Sequence, residues 1–294
     1  MHISDYMHFG VRGHSNFEFV DSYLLKDNKL FIDPCLIKKS TDPWSIKANQ
    51  LIESYFDSLY DAFKYRTDDR RILLSHAREQ NATKLGYGNG SNGKGKTADG
   101  LYSSLKGLTE LIQNIPTICT PSDLNVLIQN FGEDNMSDLL TNIIHGLLNE
   151  FTLEQLRKLG CTPIGETTFW TWDSVSMSWI EITRPSHFYK GKELLLVPKW
   201  IVRKNYLFGV HQYLLTVIID KIRENEGYEK LTKKDVWDNL ARNTPNWEYN
   251  YTLQRTLSNP ELLTEYHNRI PKHYNRKYGA MSDQELDNFI YAQA

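Results

Sequence analysis

The sequence predicts a mixed α/β fold of the α+β kind, with a sheet-containing N-terminal body over residues 1–205 and a helical C-terminal region over 206–294. Three observations carry this. Residues 167–199 alternate apolar and polar positions and are rich in aromatics, as strands are. Segments before them repeat apolar residues at helical spacing, which makes one buried face. After Asn205 the start signals are helical: Thr232-x-x-Asp235, Asn259-Pro260 and the capping box Ser282-x-x-Glu285.

Residues 17–34 read as a hairpin, with two apolar stretches flanking Lys26-Asp27-Asn28 and Pro34 closing the second. Asp42-Pro43 is an N-cap followed by a first-turn proline. The helix it opens buries Ile52, Tyr55, Phe56, Leu59 and Phe63, and a second helix is expected over 69–82. The glycine-rich run 86–98 cannot pack as a regular element and is expected to be an exposed loop. A short helix through Leu101, Leu105, Leu108 and Leu111 follows it. Leu124–Gln129 reads as a buried strand, and Leu139–Phe151 as a helix capped by Ser137. Thr152-x-x-Gln155 and Gly160 bracket another helical segment. Residues 167–173, 178–183 and 193–199 are three strands, the last apolar enough to be central.

Charge narrows the function classes. The chain has 34 Lys+Arg and 36 Asp+Glu, net −2, so no strong overall field draws it to nucleic acid or a membrane. Residues 199–278 nevertheless carry 14 Lys+Arg against 9 Asp+Glu, a modestly basic C-terminal stretch. The three cysteines, Cys35, Cys119 and Cys161, are far apart and form no C-x-x-C. They read as reduced thiols of a cytoplasmic protein, which weighs against a cysteine-built metal site. No apolar stretch approaches the roughly 20 residues of a bilayer helix, and a secretory signal is not expected.

Gly90 to Thr97, GSNGKGKT, satisfies the phosphate-loop string, with Lys96 and Thr97 where phosphate and magnesium would be met. No buried strand feeds it, so a P-loop nucleotide-binding protein ranks third. Glu133, Asp134 and Asp138 follow the expected strand 124–129, where carboxylates can hold Mg²⁺ or Mn²⁺. With Lys199 at the end of strand 193–199, they supply the parts for metal-dependent phosphodiester hydrolysis. Asp134, Asp138 and Lys199 are therefore the candidate catalytic residues, Asp134 and Asp138 also the metal ligands. Val197 stands where a second strand-borne acid is usual, so that acid would come from Glu79 or Glu181. Helix capping by Asp134 and Asp138 is the plainer alternative. Arg71-x4-His76 has the spacing of some HEPN ribonuclease motifs.

Lys94, Lys96, Arg203, Lys204, Lys233 and Lys234 are the candidate nucleic-acid contacts. Those of the C-terminal stretch interleave with Trp200, Tyr206, Trp237, Trp247 and Tyr251, a mixture that suits base stacking or a protein interface equally. The strings FIDP, LGYG, EDNMSDLLTNII and LLLVPK resemble segments of uncharacterised bacterial proteins of mobile-element or phage-defence loci. That resemblance implies a bacterial cytoplasm and nucleic-acid biology and transfers no catalytic residue. The expected function is a metal-dependent nuclease or related phosphodiesterase, one subunit of an antiviral defence complex with a protein partner. The alternative is a non-catalytic nucleic-acid- or protein-binding subunit.

Overall fold

The Asp42 carboxylate accepts from the Trp44 and Ser45 amides, and Pro43 takes the first helical position, where no amide is needed. In the computed structural model, which describes residues 1–77, 81–87, 97–225, 230–240, 244–276 and 279–293, this start opens the longest helix. In chain order the N-terminal elements are α1 (Ile3–Tyr6), β1 (Phe31–Ile32), α2 (Pro34–Lys39), α3 (Pro43–Lys64), α4 (Asp69–Leu74), α5 (Ala98–Ser104), α6 (Leu108–Asn114), α7 (Pro121–Leu127), α8 (Glu133–Ile143) and α9 (His145–Lys158). Strands β2 (Gly165–Asp173), β3 (Ser178–Tyr189), β4 (Lys192–Leu194) and β5 (Val202–Arg203) follow. The C-terminal region holds α10 (Val210–Tyr213), α11 (Ile219–Asn225), α12 (Lys233–Asn239), α13 (Trp247–Ser258), α14 (Glu261–Arg276) and α15 (Asp283–Ile290).

Strands β2, β3 and β4 form an antiparallel meander, and β1 pairs antiparallel with β5. The two sheets are small, and helices supply most of the packing surface. One core cluster runs from Ile52 and Phe56 on α3 through Leu140 and Ile143 on α8 to Leu263 on α14 and Leu286 on α15. The C-terminal helices therefore share the core of the N-terminal body. Tyr55 and Trp172 meet edge to face at 5.1 Å in it, a geometry worth about 1 kcal/mol beyond burial.

Several expected elements differ. Residues 124–129 are not a strand: Leu124 to Leu127 belong to α7. Pro121 takes the first helical position, and the Asp123 carboxylate accepts from the Thr120 amide at 2.8 Å. An apolar run this short has no period of its own, so its capping decides. Residues 17–34 are no hairpin. Phe31 and Ile32 pair with Arg203 and Val202, and the Val20 amide bonds Val197. The strand expected over 193–199 keeps its ladder only to Leu194. Beyond it Leu195 donates to Ala82, Leu196 to the Thr152 hydroxyl and Lys199 to Glu18, while Pro198 has no amide to continue a ladder. The helix expected over 139–151 is two, α8 and α9. Gly132 rather than Ser137 precedes the first, and Thr152 lies inside the second. The helix expected over 69–82 stops at Leu74, and the one through Leu101–Leu111 divides into α5 and α6.

Candidate functional site

The carboxylates singled out in the sequence sit on the first turns of α8, not at the end of a strand. The Tyr87 amide donates to Asp134 Oδ1 at 3.3 Å, and a side chain at Gly86 would strike that oxygen, so the LGY segment is seated on Asp134. Tyr206 lies beside the same helix end. Its hydroxyl donates to the Ile32 carbonyl at 2.5 Å. Burial pushes that hydroxyl up, and the charges of Asp33, Glu133 and Asp138 add to the effect. Asp33 itself caps α2, accepting from the Cys35 and Leu36 amides. Lys199 points elsewhere: its ammonium donates to the His14 carbonyl at 2.8 Å and pairs with Asp283 at 2.8 Å. Glu193, half-buried, meets the buried His145 at 2.9 Å.

The expected nucleic-acid contacts are dispersed. Arg203 bonds the Gly279 carbonyl, Lys204 lies over the Phe289 ring, and Lys233 is held by Asp220 and the Leu215 carbonyl. Lys234 is exposed. Lys94, Lys96 and Glu79 lie outside the described residues, as does most of the glycine-rich run. Arg71 pairs with Asp99, and His76 stacks on Trp170 at 3.9 Å.

The structure gathers a different set. Cys119 is exposed just before the N-cap of α7, and Asp123 on its first turn is buried. Asp123 Oδ2 accepts from the Cys119 and Thr120 amides at 2.9 and 2.8 Å, which fixes the thiol-bearing residue against the helix. His267 comes from α14, 148 positions after Cys119 in the sequence. Leu263, Tyr266 and Ile270 bury one face of that helix. Tyr266 stacks on Tyr213 at 4.6 Å and accepts from the Gly209 amide, so His267 beside it is aimed at α7. His267 Nε2 reaches Asp123 Oδ1 at 2.7 Å. Donor atoms of Cys119, Asp123 and His267 all lie within 4.8 Å of one another, the one such group of three among the described residues.

Burial works against charge on His267, but hydrogen bonds to Asp123 and Cys119 outweigh it and raise the imidazole from an ordinary 6.5 to about 10. It is an imidazolium at neutral pH. Sulfur, nitrogen and oxygen donors in this number could hold zinc with one position open. One distance argues for the proton instead. The 2.7 Å contact is a hydrogen bond, whereas two ligands on tetrahedral zinc stand about 3.3 Å apart.

Cys119 and His267 line a cavity of about 430 Å³ between α2, α3, α7 and α14, a size that suits a small ligand or one side chain of a larger one. Ile52, Phe56 and Pro271 supply apolar wall, and Asn49, whose amide makes no hydrogen bond among the described residues, supplies a donor. The nearby Tyr60 hydroxyl donates to the Thr120 carbonyl at 2.6 Å and feels the charges of Asp123, Cys119 and Asp57. Sequence reading passed over this set because no spacing links Cys119 to His267. The one legible signal was Thr120-Pro121-Ser122-Asp123, a helix start that places Cys119 at an exposed turn.

A family model described as a domain of unknown function, DUF8370, matches residues 10–208. No curated protein and no solved structure matches the chain. No helix among the described residues is long and apolar enough to cross a membrane.

Proposed function

The chain belongs to the DUF8370 family, and for this family body joined to α14 we propose a thiol-dependent acyl-transfer activity, hydrolysis of an amide or ester, centred on Cys119. The observation that carries the reading is the convergence of a solvent-reachable thiol and a charged imidazole on one cavity wall, with the buried Asp123 carboxylate bonded to the imidazole behind it. Thiolate is the nucleophile in such chemistry, and the His267 imidazolium is the cation beside it. Attack forms a bond from Cys119 Sγ to the acyl carbon, with Asn49 on the wall as a donor for the developing oxyanion. Collapse breaks the bond to the leaving group, which takes the proton of His267. Water then attacks the thioester, gives its proton to His267, and releases the acid and Cys119. Asp123 holds the imidazole and favours its charged form throughout.

The test uses p-nitrophenyl acetate as an activated acyl donor and intact-protein mass spectrometry. Acetylation is expected at Cys119, lost in Cys119→Ser, slowed about 10²-fold or more in His267→Ala, and indifferent to EDTA. Acetylation that tracks only surface lysines would refute the assignment.

A metal-dependent nuclease using Mg²⁺ or Mn²⁺ is the second reading. Its one support is that Asp33, Glu133 and Asp138 each act by charge on the Tyr206 hydroxyl; their oxygens do not gather within 4.8 Å as a group of three among the described residues. Lys199, engaged with Asp283, contributes nothing to its support. On this reading Asp138→Asn keeps fold and nucleic-acid binding but abolishes Mn²⁺-dependent cleavage, measured with any partner subunit present. Full cleavage by that variant would remove Asp138 from the reading.

A further inference from the structure

The charges on the Cys119 cavity are not balanced evenly, and resting on the thiol reading above, they point to a substrate class. Lys38 and Glu53, on facing helices α2 and α3, neutralise each other at 3.0 Å. Lys39 has an interaction of its own, and the His267 imidazolium is paired with Asp123 at 2.7 Å. Asp57, one turn after Glu53 on the cavity wall, has no ion pair among the described residues and is exposed. Burial and the neighbouring carboxylates Glu53 and Asp61 push its carboxyl up, while Lys38 opposes them, so a cation arriving there would relieve repulsion. Asp57 and Cys119 both line the cavity of about 430 Å³, so one small molecule can meet both. Apolar Ile52 and Phe56 lie on the same helix as Asp57 and would flank an aliphatic stem.

We propose that the cavity takes acyl substrates bearing a cationic group, an amine or guanidinium on an aliphatic stem, with Asp57 receiving the cation while Cys119 attacks the acyl carbon. Such a substrate resembles a lysine- or arginine-like amide rather than a fatty or acidic one.

The test compares methanethiosulfonates that differ only in charge: 2-aminoethyl (cationic), methyl (neutral) and 2-sulfonatoethyl (anionic). In each case Cys119 sulfur attacks the sulfenyl sulfur, a disulfide forms, and methanesulfinate leaves. Rates are resolved by peptide mapping of the full chain and normalised to the same reagents on a free thiol. The cationic reagent is expected to be favoured over the neutral one at Cys119 by about five- to tenfold, the effect of one nearby unit charge in a partly wet cavity. Asp57→Asn is expected to bring that ratio toward one, and 0.5 M salt to reduce it. A ratio near one in the unmodified chain, or preference for the anionic reagent through Lys38 and Lys39, would overturn the proposal. Because the ratio is read without turnover, it is separable from the acyl-transfer reading. Acetylated Cys119 with no charge preference defeats this inference alone, and charge preference without acetylation defeats the other.

Discussion

At the residue scale, His267 makes the sharpest pH prediction. Its pKa is raised from 6.5 unfolded to about 10 folded, so the folded chain holds the proton more tightly. The resulting stabilisation is complete below pH 6.5 and is lost as pH climbs from 6.5 toward 10. Thermal unfolding of the protein against His267→Gln should show the largest Tm gap at pH 6 and a gap that shrinks steadily up to pH 10. A gap constant across that range would mean that His267 carries no proton-linked contact with Asp123. Lys199 teaches the complementary lesson. Its position at the end of an apolar segment was legible, but the sequence could not show that Asp283 would neutralise it.

At the scale of elements, α8 is central as its spacing implies. Leu140, Ile143 and Ile144 are wholly buried in the same cluster as Leu195 and Val197. Ile144→Ala is expected to cost about 2–5 kcal/mol in urea unfolding, and unchanged melting would show the helix to be peripheral. Long amphipathic elements such as α3 and the β2–β3 pair were legible because their periods run over many residues. Leu124–Leu127 was not, because so short a run, with three apolar residues in four, fits a strand or a helix equally and the decision lay in Thr120 and Asp123 upstream. That misreading also misplaced Glu133, Asp134 and Asp138: the first two are on the first turn of a helix and favourable there with the macrodipole alone, and Asp138 lies one turn further in.

At the scale of the whole molecule, the two ends of the described chain are locked together. His14 Nδ1 meets Asp287 at 2.6 Å, Tyr291 donates to Asp21 at 2.9 Å, and Lys199 joins Asp283 in the same joint. The family match ends at residue 208, so Cys119 and Asp123 lie inside it and His267 outside. The proposed centre therefore depends on α14 being seated on the family body, which buried Leu263, Tyr266 and Ile270 achieve. Charge and composition gave no hint of this, because contacts between positions 119 and 267 exist only after both regions have packed. The most direct measurement is the rate at which iodoacetamide modifies Cys119 at pH 7, followed by peptide mass spectrometry in the full chain and in His267→Ala. If the three residues act as one centre, the variant should react about 10²-fold more slowly at Cys119, with Cys161 unchanged. Equal rates at Cys119 in both proteins would contradict the account.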